Sequence, residues 1–181
     1  MKKIILASVM TVSAFSAISA FAADGSIQFT GTVIDTGCDI RVAPTHNASA
    51  TSVSTIDLKN VARSAMGSTI GSYANKTAFA LTLINCPTSM AKASANFDYE
   101  ASPAGNAYLA NAEAIKNGVG MQLFDDNNGS TPLVKGVPSA PVTFVNRSAV
   151  LPFSVALVNI SGSPVDPGKV TSEAQYTIVY Q

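Results

Sequence analysis

Apolar and polar residues alternate with period two in six segments of the chain, the signature of half-buried β-strands. In the first, Ile27, Phe29, Gly31 and Val33 alternate with Gln28, Thr30 and Thr32. Phe79, Leu81 and Leu83 share one face of the second, and Ala95, Phe97 and Tyr99 one face of the third. Val119, Met121 and Leu123 follow, then Leu151, Phe153, Val155 and Leu157, and finally Tyr176, Ile178 and Tyr180. Turn-forming residues separate these segments at Ser102 to Asn106, Asp125 to Gly129 and Gly162 to Gly168. The second of these reads as a hairpin turn built on Asn128-Gly129. One stretch, Ala107 to Lys116, has a partly helical pattern. So many short strands predict an all-β fold, an antiparallel β-sandwich of immunoglobulin-like type.

The first residues do not fit that pattern. Lys2 and Lys3 precede an uncharged run of apolar and small residues from Ile4 to Ile18, and Ala20-Phe21-Ala22 matches a small-x-small cleavage site. Residues 1–22 therefore read as a secretory signal peptide. Removing it takes away Lys2 and Lys3 and leaves 9 basic residues against 11 acidic ones, a net charge of −2.

Export decides how the cysteines read. Cys38 and Cys86 are the only two, and an oxidising compartment makes a disulfide between them the default. A zinc site would need more ligands than the single His46 supplies, and a redox pair would be closely spaced.

Composition narrows the function. Charged residues make up 12% of the 181, about half the usual quarter of a globular chain, and 47% are hydrophobic. Eleven Lys+Arg balance eleven Asp+Glu, so there is no basic excess for nucleic acid. A disordered chain would be less apolar and more charged. No chemistry-bearing constellation can be assembled, so the chain is not read as an enzyme and no cofactor is implied. His46 lies in a turn-like Pro44-Thr45-His46-Asn47 and reads as a solvated loop residue. Asp125 and Asp126 are adjacent in a turn. Calcium-loop registers starting at either one fail for want of Gly at position 6 and an acid at position 12.

Both ends of the exported chain are strand-like. The run from Gly25 to Ile34 alternates almost from the cleavage point, and Ala174 to Gln181 alternates to the last residue. The N-terminal segment could pair within its own domain or add a strand to the sheet of another copy.

These residues resemble the subunits of chaperone–usher fimbriae, close to the major shaft pilins of type 1-like and F17-like fimbriae. SIQFTGTVIDTGC resembles the family's donor strand leading into its first cysteine, TAFALTLINC its second-cysteine strand, and GVGMQLFDDNNG its central strand and turn. The penultimate Tyr180 and Gly168, fourteenth from the end, match the family's C-terminal motif.

The resemblance implies an incomplete immunoglobulin-like sandwich that lacks its seventh strand and is completed by donor-strand exchange. Residues 23–35 would be the donor extension, with Ile27, Phe29, Gly31 and Val33 facing the acceptor, and residues 36–181 the pilin domain. Gly168, Val170, Ala174, Tyr176, Ile178 and Tyr180 would lie on or beside the acceptor groove. Implied partners are neighbouring pilin subunits, a periplasmic chaperone, the outer-membrane usher and a tip adhesin or adaptor. The implied location is the extracellular fimbria, reached through the periplasm. A minor adaptor or terminator subunit, or a free-standing secreted carbohydrate-binding sandwich, is the competing expectation.

Overall fold

A computed structural model of the chain describes residues 37–46, 55–114 and 116–181. The signal peptide, the 23–35 extension and the predicted first strand lie outside the described residues.

The described residues form ten strands: β1 (Asp39–Ala43), β2 (Tyr73–Ile84), β3 (Lys92–Tyr99), β4 (Ala101–Ser102), β5 (Gly105–Leu109), β6 (Val119–Asp125), β7 (Thr131–Pro132), β8 (Val142–Thr143), β9 (Ala149–Asn159) and β10 (Ala174–Tyr180). They form two antiparallel sheets. The larger runs β1-β2-β9-β6-β5-β4, with β7 paired to β6, and the smaller runs β10-β3-β8. The five alternating segments that fall in the described residues are β2, β3, β6, β9 and β10.

The faces follow the predicted parity. Phe79, Leu81 and Leu83 of β2 and Leu151, Phe153 and Val155 of β9 are buried against Ala95, Phe97 and Tyr99 of β3, in one cluster that spans both sheets. Three phenylalanines join the layers: Phe97 meets Phe153 edge-on with ring centres 5.1 Å apart, and Phe79 meets Phe153 at 5.6 Å. Such contacts add about 0.5–1.5 kcal/mol each to the burial itself. The central β2–β9 register sets Phe79 directly against Phe153 and Leu81 against Leu151. A second cluster of Met66, Ala74, Val119 and Val165 continues the core, with Val61, Leu157 and Val170 packed on it.

Cys38 and Cys86 form the expected disulfide. It joins the start of β1 to the end of β2, which also pair along their length from Asp39↔Ile84 to Ala43↔Ala80. Closing a loop of 48 residues in this way stabilises the fold by about 4 kcal/mol in the chain-entropy account.

Two expectations need correcting. Ala107 to Leu109 belong to β5 and are not helical, because Leu109 pairs with Met121 and is buried. Gly120 makes this approach possible, since a Cβ there would lie 2.5 Å from the Leu109 carbonyl oxygen. The turn after β6 is not a two-residue Asn-Gly hairpin. A short 3-10 helix, Asp126–Asn128, is capped by the Asp125 carboxylate, which accepts from Asn127 N, and ends at Gly129 in the left-handed region. His46 lies in an exposed loop, as expected, but its side chain is also held in place. Its Nε2 lies 2.8 Å from the Phe153 carbonyl and 3.0 Å from Asp126 Oδ2. Both partners are acceptors, so Nε2 carries the hydrogen and pins the loop after β1 to β9.

Candidate functional site

The last strand is the least covered of the long strands. On one edge β10 pairs with β3 over its full length, from Ala174↔Tyr99 to Tyr180↔Ala93. Among the described residues no strand pairs with its other edge. The alternation places Ala174, Tyr176, Ile178 and Tyr180 on one face. Ala174, Ile178 and Tyr180 are half-buried and pack on the main core cluster, while Tyr176 is 38% exposed. Their neighbours on the same face of β3, Ala95 and Phe97, are almost fully buried. An apolar face directed at the core is thus only partly covered, on the strand whose outer edge has no described partner. This combination invites pairing with another strand.

The start of β1 lies beside the end of this face. A Cβ on Gly37 would lie 3.5 Å from the Tyr180 hydroxyl oxygen, so the penultimate tyrosine lies next to the residue that precedes Cys38. Ile40 and Val42 of β1 also pack on the main cluster. Among the described residues no backbone hydrogen bond joins β1 to β10. The role of β1 was not anticipated, although the alternation of Ile40 and Val42 after Cys38 carried the signal.

The approach to β10 is fixed by a polar knot. Asn111 is buried, and its Nδ2 donates to Asn117 Oδ1 and to the Lys169 carbonyl, both at 3.3 Å. Its Oδ1 accepts from Glu113 N at 3.0 Å and Thr171 N at 3.1 Å. Ser172 Oγ donates to the Ala110 carbonyl, and Ala112 N to the Thr171 carbonyl. The Thr171 hydroxyl and the Lys169 ammonium at Glu113 hold its carboxyl below the usual carboxylate range. Residues 169–172 are therefore held to residues 110–117 just before β10 begins.

Gly168 fits into the same knot. A Cβ there would come within 3.1 Å of Asn117 Nδ2, closer than such contacts normally allow. A larger residue here would have to push the buried carboxamide aside by a few tenths of an ångström. Val170 packs in the second core cluster, rather than among the β10 residues that touch the main one. The six C-terminal residues thus divide in two: Gly168 and Val170 anchor the approach, and Ala174 to Tyr180 form the open face. Ile27, Phe29, Gly31 and Val33 lie outside the described residues.

Among the described residues, the hydroxyls nearest His46 do not form a hydrolytic centre. Ser154 and Ser130 donate to Asp126 Oδ1 while His46 lies on Asp126 Oδ2, so these hydroxyls bond the carboxylate rather than the imidazole. A nucleophile–base pair requires the hydroxyl to meet the imidazole.

Comparison with known proteins points the same way. The family model described as fimbrial protein matches residues 27–181. The Fimbria A protein of Serratia marcescens is 29% identical over 185 residues, covering all of this chain and 99% of the relative. A fimbrial-like protein of Escherichia coli K12, YbgD, is 28% identical and covers 95% of each chain. Among solved structures, the P pilus rod subunit PapA superposes with a TM-score of 0.63 at 15% identity, covering 81% of this chain and all of that one. A subunit of a chaperone–usher pilus, from a structure that reveals the molecular basis of rod uncoiling, superposes with a TM-score of 0.62 at 18% identity, over 88% of this chain and 96% of that one. These two share the fold of the sandwich described above. With 155 of its residues inside the family match and full-length fimbrial relatives on both counts, the chain belongs to the fimbrial protein family, as a structural pilin rather than an enzyme.

Proposed function

We propose that this subunit polymerises by strand exchange: residues 23–35 of one copy complete the sandwich of the next, along the open edge of β10. As a fimbrial protein it is exported through the periplasm to fimbriae on the cell surface. The observation that carries the proposal is the half-exposed apolar face of β10 on a strand with no second partner among the described residues.

The donor sequence is complementary to that face. Ile27, Phe29 and Val33 present apolar side chains at period two. Burying each gains roughly 1.5–3 kcal/mol, or about 5–9 kcal/mol together, before the main-chain bonds of the new strand pair. Gly31 leaves room where two backbones approach closely. The family match begins at Ile27, so this segment belongs to the shared sequence, which supports the assignment.

Each copy gives one strand and receives one at a different surface. Such a contact is heterologous and does not close, so it generates a filament. A periplasmic chaperone would cover the groove before assembly, the usher would direct the exchange, and a tip adhesin or adaptor would end the fibre. The role we assign is the major shaft subunit. The fold shared with a rod subunit over 81% of this chain supports it.

The test is electron microscopy of cells producing Phe29→Asp or Gly31→Arg in place of the parent chain. The expected result is export with an intact disulfide and no fibres. Normal fibre yield from both variants overturns the donor assignment.

A further inference from the structure

We propose that Asn128 is a site of spontaneous covalent modification, in which its side-chain amide is lost by cyclisation onto the following glycine. Asn followed by Gly occurs twice in the chain, at Asn117-Gly118 and Asn128-Gly129. Glycine in the second position permits the reaction because no side chain shields its backbone nitrogen. The deprotonated nitrogen of Gly129 attacks Cγ of Asn128, the bond from Cγ to the amide nitrogen breaks, and ammonia leaves. A five-membered succinimide remains. Water then opens it at either carbonyl and gives aspartate or isoaspartate. Water is the only co-reactant, and no redox change occurs.

The fold treats the two pairs oppositely. Asn117 is 5% exposed. Its Oδ1 accepts from Asn111 Nδ2 and Val119 N, its carbonyl accepts from Asp166 N, and Gly168 lies against its side chain. Gly118 in turn packs against Ser161, with 3.0 Å between a Cβ there and that side chain. The carboxamide of Asn117 cannot turn toward Gly118 nitrogen without breaking this knot.

Asn128 ends the short helix of the β6–β7 turn and is exposed. Its hydrogen bond is at the main chain, where the carbonyl accepts from Thr131 Oγ1, and leaves the carboxamide unengaged. Nothing lies within 4 Å of a Cβ placed on Gly129. The tip can therefore reach the cyclising geometry by opening one turn, whereas Asn117 needs the unfolding of a buried segment. The product adds a negative charge beside Asp125 and Asp126, so an ageing subunit changes the charge of an exposed turn while its core is untouched.

The experiment incubates the purified full chain in mildly alkaline buffer made with oxygen-18 water, which labels only conversions that occur during the incubation. Cleavage after Lys116 and Lys135 yields one peptide containing both asparagines, and its fragment ions compare them internally. Conversion at Asn128 is expected to run at least about tenfold ahead of Asn117, because folding withholds the second site. In urea the two rates are expected to converge, and Gly129→Ala is expected to slow Asn128 alone. Equal rates at both sites in the folded protein, or an Asn128 rate that Gly129→Ala leaves unchanged, overturn the proposal.

Discussion

Two adjacent residues of β10 test the acceptor surface against each other. Ile178 faces the core, opposite Ala95, and is half-buried. Thr177 faces the other way, opposite Asn96, and is exposed. Ile178→Asp and Thr177→Asp introduce the same charge into the same strand, one residue apart. Full burial of an isoleucine is worth about 1.5–3 kcal/mol, and about half of that remains to be gained when a partner strand closes over the face. A carboxylate there must also shed water without a partner, at a cost of at least about 2–3 kcal/mol. Together these weaken strand capture by about 3–4 kcal/mol, or two to three powers of ten in affinity. Thr177→Asp keeps its carboxylate in water and is expected to change capture less than tenfold, or about 1.4 kcal/mol. The assay is fibre yield by electron microscopy, together with heat-resistant polymer ladders on gels, in cells that export both variants with the disulfide formed. The reasoning fails if Thr177→Asp removes fibres as completely as Ile178→Asp, or if Ile178→Asp assembles normally.

Further expectations concern stability. Asn159 is fully buried; its Nδ2 donates to the Gly67 and Ser163 carbonyls and its Oδ1 accepts from Ser161 N and Gly162 N. Asn159→Ala is expected to cost about 2–4 kcal/mol in urea unfolding, and a change within experimental error refutes that bonding count. Gly168→Val drives a side chain into Asn117, so the melting temperature should fall, whereas Gly136→Ala, with nothing near its Cβ, should show only the strain of its left-handed backbone. Reduction of Cys38–Cys86 should lower stability by about 4 kcal/mol and free the start of β1 for proteolysis, and equal protease resistance in both forms would contradict this. Acid should weaken the fold. The hydrogen bond from Lys59 lowers the carboxyl pKa of Asp57, that from Lys135 lowers Asp98, and those from Thr171 and Lys169 lower Glu113. Folded values below the unfolded ones mean that the unfolded chain binds more protons, so this stabilisation is present above about pH 4.3 and lost as pH falls below it. A melting temperature that does not move on acidification through that range would refute the assignment.

The sequence by itself determined five of the strands, β2, β3, β6, β9 and β10, and the side of each that faces the core. Period-two alternation is a local property, and Phe79, Phe97 and Phe153 had to share an interior once their segments were extended. It also determined the disulfide, because an exported chain with two cysteines has one pairing available. The tertiary structure alone decided that, among the described residues, β10 has a neighbour on one side and that Tyr176 stays partly exposed, since strand order depends on pairings between residues about 80 positions apart in the chain. The same holds for Gly168. Its spacing from the C-terminus was visible as a motif, but what crowds a larger residue there is Asn117, 51 positions earlier, whose carboxamide lies 3.1 Å from where a Cβ would stand. Ala107–Leu109 were misread for the converse reason: a weak local helical pattern gave way to pairing with β6 and burial of Leu109. Local periodicity is written along the chain, whereas an open sheet edge exists only after every other strand has found its partner.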